Sequence, residues 1–487
     1  IYDLGGEEPV MTSEQTRKTM KSDILNIEWE NKLNQATHYG NEHFSLNAQQ
    51  TDGLSAINQA LTQRIRIPQL NIEGSLYRLF VWKKSQLSWR SIADYHHGVA
   101  DLYVNDDRSR LRTNLWHTAH SVEWQKSRFH WSQRYQASID FKDIIMGDQT
   151  SNVKKNHNID ICAKLTPFWQ YKTGDLRMYF SPTFTWERFT RQQKTLLTAS
   201  PFVYLNQKID FRRELTFYTG YNTSTGSPTT YAIDQYRRSY RSWYTSADIV
   251  PINRSLYGKL SYDYKRPITE AFFSVSINAS RYWQNTASDL HIVDGNYYTA
   301  IYKQNSKSDN LGASLYVSKG FYDWHLKTRL KADYNYSKGT QYASHQTIDY
   351  TNQTYTLTPS IDFSPSWCQL SYEGEFTKLN TKRAKSANSS LFNWRQELSA
   401  TATIHNVDLT FSLVHYRNEL QEGDNINCLL GDATAVWRIK KLRLSAELRN
   451  IFNKKSYAET TYSGVSTLTN SYELRPRELM LTAQYAF

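Results

Sequence analysis

His96 and His97 stand side by side, with Asp94 and Asp101 close by and Asn105-Asp106-Asp107 just beyond. Imidazoles and carboxylates at that density are the raw material of a metal site. The spacing argues against one. Consecutive residues on a strand point to opposite faces, so adjacent histidines cannot chelate one ion without a bend. Asp106-Asp107 also lacks the spaced ligands of a calcium loop, and solvated loop charge accounts for it better. Serines and histidines elsewhere form no nucleophile elbow or acid–base constellation, so no enzymatic activity is expected. Cys162, Cys368 and Cys428 lie far apart and offer neither a disulfide framework nor metal spacing.

Binding chemistry remains. Tyr236, Tyr240, Trp243 and Tyr244 fall in one long polar stretch, and Tyr297 with Tyr298 in another. Their rings can stack on sugars, haem-like rings or peptide side chains, and they could equally be interface residues near strand ends. A second set is basic: Lys327, Arg329 and Lys331 alternate along one segment after His325 and before Asp333, while Arg443 and Arg449 flank Glu447 on another. Such a wall could guide an anionic or polar solute. Salt bridges to neighbouring strands or to a plug are the favoured reading, and Arg395 with Glu397 fits it too.

These residues need elements to hold them, and the alternation of side chains supplies the elements. In the last segment Leu479, Leu481, Ala483, Tyr485 and Phe487 share one face, against Glu478, Met480, Thr482, Gln484 and Ala486. A period of two with one apolar face describes a strand between two solvents. Similar segments recur from about residue 22 to the end, among them Leu256, Leu260, Tyr262 and Tyr264 against Lys259, Ser261 and Asp263. Register is well specified, because a slip of one residue puts charge into lipid. Pro182, mid-strand, predicts a bulge or weakened pairing.

The reading is an all-β chain forming a transmembrane antiparallel β-barrel of about 22 strands, about 21 of them visible in this chain. Mean hydropathy is −0.67, and no stretch approaches a membrane helix, as expected when every second residue faces inward. The 35 Tyr, 14 Trp and 20 Phe fit two aromatic girdles. The net charge of +12 is dispersed without a Lys/Arg block, so no nucleic-acid partner is expected. Outer-membrane lipid is the expected surrounding.

Connections alternate between tight and long. Tight reversals are expected at 126–128, 173–175, 206–208, 265–267, 320–323, 364–366, 405–406 and 440–441. Long stretches are expected at about 143–157, 221–253, 284–308, 337–352, 379–391, 419–427 and 453–472. Outer-membrane barrels have this asymmetry, with short periplasmic turns and long extracellular loops. Residues 1–21 lack apolar alternation and read as loop or the remnant of a missing N-terminal part, with the barrel domain over 22–487.

The C-terminal end carries a resemblance. The run Glu447-Leu448-Arg449-Asn450-Ile451-Phe452-Asn453-Lys454-Lys455-Ser456-Tyr457, then Tyr472-Glu473-Leu474-Arg475-Pro476-Arg477, then Phe487, resembles the end of TonB-dependent outer-membrane receptors of the Bacteroidetes type. In that family the penultimate strand ends in a similar Asn-x-Phe-Asn-x-x-x-Tyr stretch and the last strand opens on a Pro-Arg-like pair. The resemblance implies a 22-stranded barrel in the cell outer membrane, importing a ligand with a plug domain and the TonB complex as partners. It also implies Phe487 as an assembly signal. A surface lipoprotein is a further candidate partner, and no cofactor is expected. The alternative is a barrel serving as scaffold or conduit for a surface-exposed partner, with no energy coupling. Neither plug nor TonB box is found in the sequence.

Overall fold

In the computed structural model the alternating segments form one antiparallel sheet of 21 strands, curled into a barrel. The structure describes residues 16–57, 61–105, 107–148, 156–227, 230–231, 235–246, 248–293, 296–343, 346–384, 388–419, 425–463 and 466–485. The first wall strands are β1 (Thr16–Asn34), β2 (His38–Ile57), β3 (Leu61–Trp82), β4 (Ser85–Val104) and β5 (Asp107–Arg128). They continue as β6 (Trp131–Asp148), β7 (Asn156–Lys172), β8 (Leu176–Phe189), β9 (Lys194–Lys208) and β10 (Arg213–Thr225). Two short strands, β11 (Gln235–Ser239) and β12 (Ser242–Thr245), stand outside the wall, which resumes with β13 (Ile252–Arg266) and β14 (Ala271–Gln284). Two more, β15 (Ala287–Val293) and β16 (Asn296–Tyr302), precede β17 (Ser306–Phe321), β18 (Leu326–Ala343), β19 (Gln346–Phe363) and β20 (Cys368–Arg383). The chain ends with β21 (Ser389–Ile404), β22 (Val407–Glu419), β23 (Asn425–Ile439), β24 (Leu442–Arg449), a hairpin of β25 (Ser456–Ser463) and β26 (Ser466–Glu473), and β27 (Glu478–Tyr485). β1 and β27 are the two sheet edges, with no pairing between them among the described residues.

The register follows the apolar alternation. Leu260 lies opposite Phe217 and Ile277, and Ile277 opposite Ala313, while Lys259 lies opposite Asn278. Cross-strand partners share a face, so the apolar stripes join into one continuous outer surface and the polar residues line the lumen. Leu256, Leu260, Ile277, Leu311 and Leu330 are exposed on that outer surface, as a lipid-facing wall requires. Aromatics mark its limits. Trp82, Trp131, Phe211, Trp324, Trp367 and Trp437 cluster at the tight turns, and Trp186, Tyr334, Tyr355 and Trp394 form a second outward band roughly ten residues further along their strands, about the length that crosses a bilayer.

Several strands are far longer than that crossing. β3 and β5 each have 22 residues, so the wall continues well past the upper band. This corrects the expected loops at 143–157, 337–352 and 379–391, which are largely strand: β6 runs on to Asp148, β18 to Ala343 and β20 to Arg383. Above the membrane both faces of a strand are wet, so its composition resembles that of a loop. Two turns also move. The reversal expected at 126–128 falls at Phe129-His130, with Arg128 paired to Trp131, and β9 continues through Lys208 before its turn. Phe129 therefore belongs to the turn. Lys83, Phe129, His405 and Lys440 all adopt left-handed φ near +50°, a job usually given to Asn or Gly, which is why these hairpins lack the usual sequence signal. β1 begins at Thr16, ahead of the expected residue 22. The weakened pairing expected at Pro182 is present: the β7–β8 ladder is interrupted between Leu165↔Phe184 and Trp169↔Phe180.

The Asn450-to-Asn453 motif has a local structural task. Asn450 is left-handed (φ 49°); its amide donates to the Lys454 and Arg475 carbonyls, both at 2.8 Å, and its Oδ1 accepts from the Lys454 N–H at 2.9 Å. Asn453 accepts from the Arg477 N–H at 3.1 Å, and Phe452 packs over Gly431, where a Cβ would have no room. One asparagine thus ties the exit of β24 to the entry of β27. Asn450→Ala should lower barrel stability by about 2 kcal/mol, from the lost hydrogen bonds and the left-handed backbone. A denaturation midpoint equal to wild type would contradict that role.

Candidate functional site

The loop-rim strands build a second sheet of four, in the order β11-β12-β16-β15. β12 and β16 pair in parallel, joining two connections separated in sequence by the whole β13–β14 hairpin. Parallel pairing requires such a long crossover, and here the barrel wall supplies it. One end of this sheet lies against β4 and β5, where the Tyr240 N–H donates to Gln63 Oε1 of β3 at 2.9 Å. The other end lies against β18, where Tyr302 meets Tyr342 edge-on at 5.8 Å on the face of β18 that Lys338 and Thr340 share. Eight of the 21 wall strands lie between β5 and β18, so the small sheet reaches across the mouth from the rim at β4 and β5 to the rim at β18.

The sheet is fastened through its own aromatics. Tyr236 and Tyr244 sit 5.2 Å apart with Arg238 over both rings; Tyr244 is buried, and Tyr236 packs on a cluster of Ile144, Met146, Phe189, Tyr231 and Val250. Ile144, Met146 and Phe189 are lumen-facing residues of the wall, so the connection folds into the mouth and docks there. The Tyr231 hydroxyl donates to Asp160 at 2.5 Å, and Asn158 donates to the same carboxylate. Arg191 of the β8–β9 turn holds Asp248 at 3.2 Å. The other face of the sheet carries Arg237, Trp243, Tyr298 and His291, paired rung by rung. Arg237 lies over the Trp243 ring at 5.1 Å, and His291 stacks on Tyr298 at 5.3 Å.

Burial is the largest influence on the Asp160 carboxyl and raises it above its ordinary 3.8, against the hydrogen bonds of Tyr231 and Asn158. Undocking would return the carboxyl to water and toward 3.8, so docking takes up a proton. Docking therefore gains as pH falls through the raised value, and the gain is complete below the ordinary one. Hydrogen exchange over 235–245, corrected for intrinsic rate, should be slower at about pH 4 than at about pH 7; the reverse order would contradict this coupling.

The structure thus brings Tyr236, Trp243, Tyr244, Tyr297 and Tyr298 together in one sheet, with Tyr240 in the turn between β11 and β12. The basic residues are elsewhere and mostly paired. Lys327 meets Glu270 at 3.6 Å, Arg329 meets Asp362 at 2.6 Å, Lys331 meets Asp333 at 2.9 Å, and Arg449 meets Glu447 at 2.5 Å. Arg395 likewise pairs with Glu397, whereas Arg443 lies opposite Arg438. His96 and His97 point to opposite faces, toward Asn71 and Asn114 respectively, and Asp94 is taken by His117 at 2.7 Å. Asp106 and Phe487 lie outside the described residues.

A feature missed in the sequence runs across the inner wall. Arg134 lies over Phe168 at 4.6 Å, Phe168 meets Tyr179 at 5.1 Å, Tyr179 stacks on Tyr204 at 4.7 Å, and Phe202, Tyr218 and Tyr257 continue the contacts. This belt borders a lumen cavity of about 950 Å³. Gly220 leaves room for it, since a Cβ there would lie 2.8 Å from the Tyr257 hydroxyl. The signal was present as aromatics on polar-face positions of five successive wall strands, two of them on β9.

A barrel wall with an apolar outer face, two aromatic bands, tight turns at one rim and long extensions at the other decides the setting. The chain is a transmembrane β-barrel of the outer membrane. No family profile and no curated protein matches it. Among solved structures, the siderophore receptor PirA from Pseudomonas aeruginosa aligns over 98% of this chain and 81% of its own, at 8% identity and a TM-score of 0.45. The copper transporter OprC aligns over 97% and 80%, at 8% identity and 0.49. The FrpB iron transporter from Neisseria meningitidis aligns over 99% and 82%, at 10% identity and 0.42.

Proposed function

We propose that this barrel is an outer-membrane transporter that takes up a polar ligand captured at the mouth-spanning sheet. The observation that carries the reading is that sheet: its β11–β12 end docks on lumen-facing residues at the mouth, and it groups Arg237, Trp243, Tyr298 and His291 on the face opposite Tyr236 and Tyr244. Aromatic planes beside a guanidinium and an imidazole suit a ligand with rings and acceptor groups. The salt-bridged Lys327, Arg329 and Lys331 serve the wall rather than the ligand in this account. Energy would come from a TonB complex acting through a plug domain, as the C-terminal resemblance implies, and the Asn450-to-Tyr457 motif supports the Bacteroidetes type within that class.

The test compares the periplasmic solutes of cells with and without the full-length protein by mass spectrometry, each with and without a protonophore. Polar solutes enriched only in producing cells, and lost with the protonophore, are expected. Enrichment that survives the protonophore would favour a passive conduit, and identical profiles would leave the barrel a scaffold.

A further inference from the structure

The outer wall carries a built polar pocket just above the lipid-facing stripe. Leu256 and Arg254 share a face of β13, Ile277 continues through Arg281 to Trp283 on β14, and Leu311 continues through Asp309 to Lys307 on β17. Lys338 and Thr340 follow Tyr334 and Tyr336 on the same face of β18. All these side chains therefore point away from the lumen, slightly further along their strands than the upper aromatic band. That is the level of outer-leaflet headgroups.

Tyr221, Arg254, Trp283, Asn305, Lys307 and Thr340 line a cavity of about 580 Å³ there. The charge is unbalanced. Arg281 is held by Asp309, and Asp349 accepts a hydrogen bond from Thr340 at 2.7 Å, leaving Arg254, Lys307 and Lys338 without an ion pair among the described residues. Lys307 and Lys338 still lie close enough to Asp309 to act on it electrostatically. Four cations thus face two carboxylates on a surface whose next layer down is hydrocarbon. Basic side chains at that depth are costly unless an anion completes them. Trp283 and Tyr221 provide the amphipathic planes that sit well at headgroup depth.

We propose that this pocket binds the phosphorylated headgroup of an outer-leaflet lipid, with Arg254 and Lys307 holding the phosphate and the acyl chains descending over Leu256, Ile277 and Leu311. The contact anchors the wall directly beneath the two connections that form the mouth-spanning sheet. It is independent of the transported ligand.

Native mass spectrometry of the full chain in detergent tests it, with separate titrations of bisphosphorylated lipid A, the same lipid stripped of phosphate, and inorganic phosphate. Wild type should bind the phosphorylated lipid at least about tenfold more tightly than the stripped one. R254A/K307A should lose that preference and R254K/K307R should keep most of it, all three proteins showing the same heat-modifiable migration. Equal binding of the two lipids overturns the proposal. Unchanged preference in R254A/K307A overturns it too, as does displacement of lipid A by inorganic phosphate at equal concentration, which would make this a site for free anions.

Discussion

Replacing Tyr231 by alanine is expected to release the mouth-spanning sheet from the inner wall. Tyr231 is 2% exposed, its ring meets Phe189 edge-on at 5.6 Å, and its hydroxyl donates to Asp160. Truncating a buried aromatic costs about 3 kcal/mol or more, and here it also leaves a buried carboxylate with one donor fewer. That energy corresponds to roughly a hundredfold change in the docking equilibrium. Tyr231→Phe separates the contributions, since it keeps the ring and should cost only about 1–2 kcal/mol. Hydrogen exchange over 235–245 reads both; unchanged protection in Tyr231→Ala would mean that docking does not depend on this residue.

Locking the sheet should have the opposite physical effect and an equally large functional one. Ser242 and Tyr297 are direct partners across the parallel β12–β16 pair, at the usual strand spacing of about 5 Å, within the range a disulfide spans. Oxidised S242C/Y297C fixes the two connections to each other across the mouth. Uptake of the solutes found by the protonophore experiment should fall about tenfold or more and return on reduction. Uptake equal in oxidised and reduced protein would show that ligands pass without the two connections separating.

The wall was legible because its two faces meet different solvents. Residues such as Leu260 and Lys259 cannot exchange places, so a period of two carries the strand, its register and its orientation at once. Legibility failed where that contrast ends. Above the upper aromatic band β18 and β19 are wet on both faces, and their sequence over 337–352 looks like loop although the ladder continues to Ala343 paired with Gln346. Turn positions slipped where Phe129 takes the left-handed conformation without the Gly or Asn that normally announces it.

At the mouth the residue types were readable and their arrangement was not. Tyr236, Trp243 and Tyr298 could be picked out as loop aromatics, but β12 and β16 are only four and seven residues long and meet in parallel from opposite sides of a complete hairpin. No local pattern encodes such a pairing. The division of labour was hidden for the same reason: Tyr244 is an anchor and Trp243 its neighbour on the other face, a distinction that depends on which side of the small sheet meets Ile144 and Val250.

Everything proposed for the mouth depends on the four-stranded sheet closing it. Single-channel conductance in planar bilayers tests it most directly, comparing the full-length protein with a variant whose 230–246 and 287–302 segments are replaced by short Gly/Ser links. Conductance should rise severalfold in the variant, with Tyr231→Ala showing frequent openings of intermediate size. Equal conductance in all three proteins would place the sheet away from the permeation path and contradict it.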